Sequence, residues 1–342
     1  MMPINKRLKR ELKKNFAKYF FIGLVLFMGI TIISAFFTAT DGIMSTIESQ
    51  QSDCNIEDAN VTLVSQLSDD NISRLHEIGI NDLEDTSYCD VTALDDSDYT
   101  MRVFRVRDSV DKLSLIEGEL PANDKQIVLE SKTASAKDLS VGDEIDVDGK
   151  NYTLSGIVAV VDYNNVLQTV SSGVSNLKTF GLGFVSKQAF DGLDSAKMTI
   201  QYSLTAEDEQ SIDDAYNYLM DEEIAVNILK QSDNPRIKSI SDKTNTLKAE
   251  VTLISVVFVL LMVFIFYAMT SASVEKDSNL IGTFFSMGYT RWEIIQHYVR
   301  LPLIITLIGS VLGMITGSLL FAEPIGKITY STYSLPTFSG KV

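Results

Sequence analysis

The chain has 342 residues, a formal net charge of -16, 45% hydrophobic side chains, two cysteines and two histidines. His76 and His297 lie on opposite sides of a long apolar run, so they assemble neither a Ser-His-Asp site nor a histidine metal cluster, and the acidic balance disfavours nucleic acid. Three uncharged stretches, Tyr19 to Thr40, Val251 to Val274 and Leu301 to Ala322, are each about 33 Å long as helices, which matches the roughly 30 Å hydrocarbon core of a bilayer.

Residues 1–18 hold Lys6, Arg7, Lys9, Arg10, Lys13, Lys14 and Lys18 against Glu11 alone. Leu8, Leu12 and Phe16 recur every fourth residue, which predicts a basic amphipathic helix on the inner membrane surface. The apolar run that follows is longer than a signal-peptide core, so residues 19–40 are read as an uncleaved transmembrane helix with a cytoplasmic N-terminus. Residues 41–249 are then extracytoplasmic. They carry 39 Asp and Glu against 17 Lys and Arg, a net of -22, which reads as a solvated acidic surface or a site for basic ligands.

Within this domain Asn60 to Val64 reads as a strand, Asp69 to Ile78 as a helix and Tyr99 to Val106 as a half-buried strand. A second helix is predicted from Thr205 and Glu207 to Met220, flanked by strands at Met198 to Leu204 and Glu223 to Leu229. Strand, helix, strand occurring twice points to two related α/β halves with an insertion between them. Cys54 and Cys89 are a possible disulfide, closing a loop of about 35 residues in an oxidising compartment; two separate buried thiols are the other reading. The acid clusters Asp95-Asp96-Ser97-Asp98 and Asp221-Glu222-Glu223 lack the loop pattern of a calcium site, and no metal ligands are assigned.

The insertion, residues 117–185, reads as β-rich: Val141-Gly142-Asp143 is a turn before a strand at Glu144 to Val147, and Asp148-Gly149 is a hairpin turn into the next strand. Its pieces Glu117-Gly118-Glu119-Leu120-Pro121, Ile127-Val128-Leu129, Leu139 to Ile145 and Tyr152 to Val158 follow one another as in the extracytoplasmic domain of FtsX/MacB-type ABC transporter permeases, which the chain resembles here. The polar run from Pro235 to Ala249 is a helical stalk leading into the second transmembrane helix, residues 250–274.

The loop 275–300 is placed in the cytoplasm. Ile281, Phe284, Phe285 and Met287 give it an apolar face, Gly288 ends one helix, and Thr290 begins another. Such a face is buried either on the protein's own helices or in the groove of a partner. The stretch also resembles the loop of the FtsX-like permease family that contacts the partner ATPase, with Ile281, Gly282, Met287, Gly288, Tyr289, Thr290 and Ile294 at matching positions and Asn279-Leu280 in place of that family's frequent Arg-Glu pair. The resemblance implies an ATPase-coupling surface at Glu275, Ile281, Gly282, Phe284, Phe285, Met287, Gly288, Tyr289, Arg291 and Ile294. In the third transmembrane helix, 301–322, Gly309, Gly313 and Gly317 lie on one face and predict a tight helix contact, within this chain or with a second copy.

No G-x-x-x-x-G-K-[ST] phosphate loop occurs, and the three uncharged stretches hold no Asp, Glu, Lys, Arg or His, which argues against ATP hydrolysis by this chain and against a proton relay through it. The expected fold class is an α-helical transmembrane protein with a large α+β extracytoplasmic domain inserted between the first and second transmembrane helices. The resemblance implies the permease subunit of an ABC transporter, multi-pass in the cell membrane. In this reading the chain has no catalytic residue and no cofactor, and ATP and magnesium are held by a separate cytoplasmic ATPase. A second permease copy or repeat and the membrane lipids are its further expected partners. Motion is transmitted to the external domain to export or handle a peptide, lipid or lipoprotein. The family's usual fourth span predicts that 323–342 is an external tail leading to it, and that the chain is the N-terminal portion of a longer permease. A membrane-anchored ligand sensor or regulatory scaffold without transport, sensing antimicrobial peptides or controlling a cell-wall hydrolase, has the same topology. Association with an ATPase separates the two.

Overall fold

A computed structural model of the chain describes residues 12–13, 15–194 and 197–336. Most of the basic segment 1–18, including Lys6, Arg7, Lys9, Arg10 and Lys14, lies outside the described residues, as do the last six residues of the tail. In chain order the elements are α1 (Phe16–Cys54), β1 (Ala59–Leu63), α2 (Asp69–Ile78), β2 (Ile80–Asp85), β3 (Tyr88–Ala93), β4 (Asp96–Arg105), β5 (Ser114–Gly118), β6 (Gln126–Glu130), α3 (Ser131–Ala136), β7 (Glu144–Val147), β8 (Lys150–Ala159), β9 (Phe180–Val185), α4 (Lys187–Asp191), β10 (Met198–Ala206), α5 (Glu209–Asp221), β11 (Ala225–Lys230), α6 (Pro235–Lys276), α7 (Ser278–Ser286) and α8 (Arg291–Thr316). A wide π-helical turn, Gly317–Phe321, then joins α8 to α9 (Ala322–Thr329). The described residues form two compact units: residues 44–243 with 330–336, and residues 12–43 with 244–329.

The first unit is a mixed sheet with short helices. Its two strand–helix–strand segments interleave in one antiparallel sheet, β11-β1-β10-β2, instead of forming separate halves. Each helix has a local reason to form. Ser68 caps α2 in a reciprocal capping box with Asn71, and Gly79 ends it in the left-handed region. Asp208 caps α5 through the Ser211 N–H, so this helix begins later than the Thr205 start expected from sequence. Thr205 instead continues β10, paired opposite Asp82 of β2. Leu63, Leu75, Ile80, Leu204, Ile212 and Leu219 bury one face of this sheet against the two helices; each such side chain contributes about 1.5–3 kcal/mol when fully buried.

Between β2 and β10 the inserted strands β3 to β9 extend the sheet in the order β3-β4-β9-β6-β8-β5. Their two faces bury separate cores, one around Tyr99, Met101, Ile127, Leu129 and Leu154, the other around Phe104, Val128, Phe180 and Phe184. Asp148 and Gly149, both with positive φ (54° and 74°), make the two-residue turn that sets the β7–β8 register. Residues 330–336 also belong to this unit. Ser334 is fully buried, its N–H bonded to the Asn164 carbonyl (2.7 Å) and its hydroxyl accepting from Val160 N–H (3.1 Å).

The second unit is helical. Phe16–Cys54, Pro235–Lys276 and Arg291–Thr329 are the three helices long and apolar enough to cross a membrane among the described residues. Pro302 lies well inside α8, which begins at Arg291; the Thr306 hydroxyl donates to the Pro302 carbonyl at 2.9 Å. Gly309, Gly313 and Gly317 face α1 of the same chain. A Cβ at Gly309 would stand 2.6 Å from Leu26 Cδ2, at Gly313 2.8 Å from the Phe27 carbonyl oxygen, and at Gly317 against the Thr31 carbonyl. At the next residue, Ser318 accepts from Thr38 (3.0 Å) and shares a hydrogen bond with Ser34 (2.9 Å), whose hydroxyl also donates to the Met314 carbonyl (3.2 Å). Close backbone approach and hydroxyl bonding are the two means by which helices associate where the solvent is lipid.

Candidate functional site

The segment from Glu275 to Ile295 is a helix–turn–helix in the helical unit. Asp277 breaks α6 from α7: its backbone carbonyl accepts from Leu280 and Ile281 N–H at 2.9 Å each, starting α7, and its carboxylate accepts from the Tyr298 hydroxyl of α8 at 3.0 Å. The nine-residue α7 closes with Met287 N–H on the Thr283 and Phe284 carbonyls and Tyr289 N–H on Phe284. Gly288 makes that reversal possible with φ at +88°, where a side chain is strained. The Phe284 and Tyr289 rings then meet edge to face, centroids 5.5 Å apart, and hold the turn from within.

Thr290 caps α8 in a second capping box. Its N–H and hydroxyl both donate to Glu293 Oε2 at 2.9 Å, and its hydroxyl accepts the Glu293 N–H. The Thr290 N–H, then its hydroxyl, hold the Glu293 carboxyl below the usual range. The turn between the helices is therefore ordered at both ends by its own side chains.

What this frame presents is apolar. Phe285 is 46% exposed, Met287 59%, Trp292 65% and Ile295 51%. Arg291 and Glu275 are exposed beside them, and Gly282 has nothing within 4 Å of where its Cβ would be. Ile281 and Phe284 are half-buried, so they support the turn more than they line its surface. Ile294, expected among the coupling residues, is buried within the helical unit. Trp292 and Ile295 are the exposed residues that sequence reasoning passed over. A tryptophan in the first turn of a helix carries no local mark of which way it faces.

The other sequence-predicted positions separate. Cys54 and Cys89 are both free, so the possible disulfide is not formed. Cys54 Sγ pairs with the Ser114 hydroxyl at 3.1 Å, whereas Cys89 sits in the sheet core with Sγ 3.9 Å from the Asp194 carbonyl. Burial, reinforced by the charge of Asp90, pushes the Cys89 thiol up to about 11. Among the described residues no group of three or more His, Cys, Asp or Glu side chains is arranged to hold a metal ion.

Residues 252–338, which contain this helix–turn–helix, the apolar part of α6 and all of α8, match the family model of the FtsX-like permease C-terminal domain. The chain also has a likeness to three solved structures. One is the extracellular domain of the noncanonic ABC-type transporter YknZ from Gram-positive bacteria, at 12% identity and TM-score 0.32, covering 49% of this chain and all of that one. Another is a domain of a putative permease protein from Porphyromonas gingivalis, at 10% and 0.27, covering 50% of this chain and 84% of that one. The third is a putative lipoprotein from Bacillus anthracis, at 9% and 0.27, covering 50% and 96%. No curated protein matches the sequence. The region that matches this family model carries the exposed apolar turn, and its apolar stretches are long enough to cross a membrane.

Proposed function

We propose that this chain is the membrane subunit of an ABC transporter of the FtsX/MacB type, coupled to a cytoplasmic ATPase through the turn between α7 and α8. The observation that carries this is the set of exposed apolar side chains Phe285, Met287, Trp292 and Ile295 on the short helix α7, the turn after it and the capped first turns of α8, outside the apolar stretches. A rigid apolar surface of this kind is a knob for a partner's groove. Arg291 and Glu275 supply a charged rim.

In this reading the N-terminus and the loop 275–300 are cytoplasmic, and the sheet unit is the extracytoplasmic domain. Nucleotide-driven closure of the ATPase moves the turn, and α1 and α6 carry the motion outward. Each is one helix containing both an apolar stretch and a polar continuation. The chain itself contributes no catalytic group, ATP and magnesium belong to the partner, and the cargo is a peptide, lipid or lipoprotein handled outside the membrane.

The test is co-purification of the full chain with its cognate ATPase. Phe285→Asp and Trp292→Asp each place a charge in the contact and are expected to lower recovered ATPase at least about tenfold, since burying an unpaired charge costs several kcal/mol. Lys125→Ala, on the exposed surface of the sheet unit, leaves recovery unchanged. Full recovery with both aspartate variants removes the coupling role and leaves the sensor or scaffold reading.

A further inference from the structure

Where α1 ends and α6 begins, four ionisable groups are buried together: Glu57, Arg107, Asp111 and Asp162. Glu57 follows α1, and its carboxylate accepts from Asn60 Nδ2 (2.7 Å), from Ser203 Oγ (2.6 Å), and from Nδ2 of Asn234 (3.3 Å), the residue before α6. Its backbone N–H donates to Asp111 Oδ1 at 2.8 Å. Arg107 donates through Nη1 to Asp162 Oδ1 at 2.6 Å and stacks over Phe104 and Phe184. A single knot of side chains therefore joins the end of one long helix to the start of another.

The charges do not balance. Three carboxylates and one guanidinium, all ionised, would leave a net of -2 out of water, and burial of that kind is relieved by taking up a proton or a cation. The geometry says where. Both oxygens of Glu57 face donors, and Asp162 faces the guanidinium, but Asp111 Oδ2 has no hydrogen-bond partner among the described residues. An oxygen without a donor gains least from being charged. Nearby ionisable groups are engaged elsewhere: Arg236 with the Leu167 and Gln168 carbonyls, Glu84 with Ser109 and Arg105, and Asp58 with the Ala206 N–H.

We propose that this knot is a proton-binding site, with the proton on Asp111 Oδ2, and that occupancy fixes the junction between α1 and α6. Burial first, then the charges of Glu57 and Asp162, raise the Asp111 carboxyl well above its usual range, in keeping with the geometry. The sign of the effect follows. The folded chain keeps a proton that an unfolded aspartate, near pKa 3.9, has lost, so the contribution of Asp111 to stability is fully present below about pH 4 and is lost as pH rises toward the folded value, by up to about tenfold in the folding constant per pH unit.

The experiment is thermal unfolding of the full chain in detergent from pH 5 to pH 8, with difference infrared spectra at pH 7. Asp111→Asn keeps the acceptor at Oδ1 and replaces the protonated oxygen with an amide. It is expected to flatten the pH dependence of Tm relative to the parent, and to remove the protonated-carboxyl band the parent shows. Glu57→Gln, which turns an amide N–H toward the Ser203 hydroxyl in place of the oxygen that accepts from it, is expected to lower Tm at every pH and to retain the band. A parent spectrum without a protonated carboxyl overturns the proposal whether or not the variants fold. So does an Asp111→Asn profile parallel to the parent's, or a band lost in Glu57→Gln and kept in Asp111→Asn.

Discussion

Ser334 and Asn164 hold each other twice: the Ser334 N–H donates to the Asn164 carbonyl at 2.7 Å, and the Asn164 side-chain amide returns a bond to the Ser334 carbonyl at 2.9 Å. The same amide reaches Gln50 Oε1 at 3.1 Å, in the last part of α1. Asn164→Ala leaves two buried acceptors without a donor, at about 1–3 kcal/mol. Hydrogen exchange on the full chain is expected to show faster exchange at Ser334 and Val160 with β4 and β9 unaffected. Unchanged protection at Ser334 would mean that the segment is held by something other than this amide.

The glycine face of α8 gives a second expectation. Gly313→Val puts atoms where the Phe27 carbonyl and Ile30 already stand, and overpacking of this kind costs typically 1–3 kcal/mol. Ser34→Cys with Ser318→Cys, whose hydroxyls are 2.9 Å apart, reports the contact through disulfide formation under mild oxidation. Crosslinking is expected to be efficient in the glycine parent and to drop severalfold with Gly313→Val. Equal yields would show that the two helices do not meet along this face.

Glu84 sets the acid limb of stability. Burial works against its ionisation, but the Ser109 hydroxyl and N–H, then the Asp108 N–H and the Arg105 charge, outweigh burial and hold its carboxyl below the usual range. Its contribution is therefore present above the unfolded value near 4.3 and disappears as pH falls through the lower folded one. Glu84→Gln is expected to lose about 1–3 kcal/mol at pH 7 and to show a shallower loss between pH 5 and pH 3. Chemical denaturation across that range checks both, and an acid limb as steep as the parent's would rule Glu84 out as its source.

The thiols have a direct readout. With both cysteines free and buried, a maleimide at pH 8 is expected to modify neither in the folded chain and both after denaturation without reductant. A denatured chain that reacts only after reduction would carry the bond that the structure lacks. Trp292 is the chain's single tryptophan, so its emission is expected to shift to shorter wavelength when the cognate ATPase is added, and a spectrum that does not move would place the contact elsewhere.

Features written locally were readable from sequence. The apolar runs, the Ser68-Asp69-Asp70 opening of α2, the Asp148-Gly149 hairpin and the four-residue glycine spacing each state their structure within a few residues. Features decided by partners distant in sequence were not. Thr205-Ala206-Glu207-Asp208 reads as a helix start, yet pairing with β2 keeps Thr205 and Ala206 in a strand and leaves the cap to Asp208. The division of the turn between α7 and α8 into supporting Phe284 and outward Phe285 depends on where Tyr289 folds back. The knot of Glu57, Arg107, Asp111 and Asp162 collects residues more than a hundred positions apart, and no spacing announces it.

The wide turn at Gly317–Phe321 changes the meaning of the third helix's length. A π turn accommodates one residue more than regular winding allows, so every side chain beyond it is rotated by roughly 100° from the phase set by Gly309 and Gly313. The helix is in effect two segments keeping different time, with Ser318 at the change of beat where it meets Ser34 and Thr38. Removing one residue there would restore an even count, and in doing so would turn α9 onto a different face.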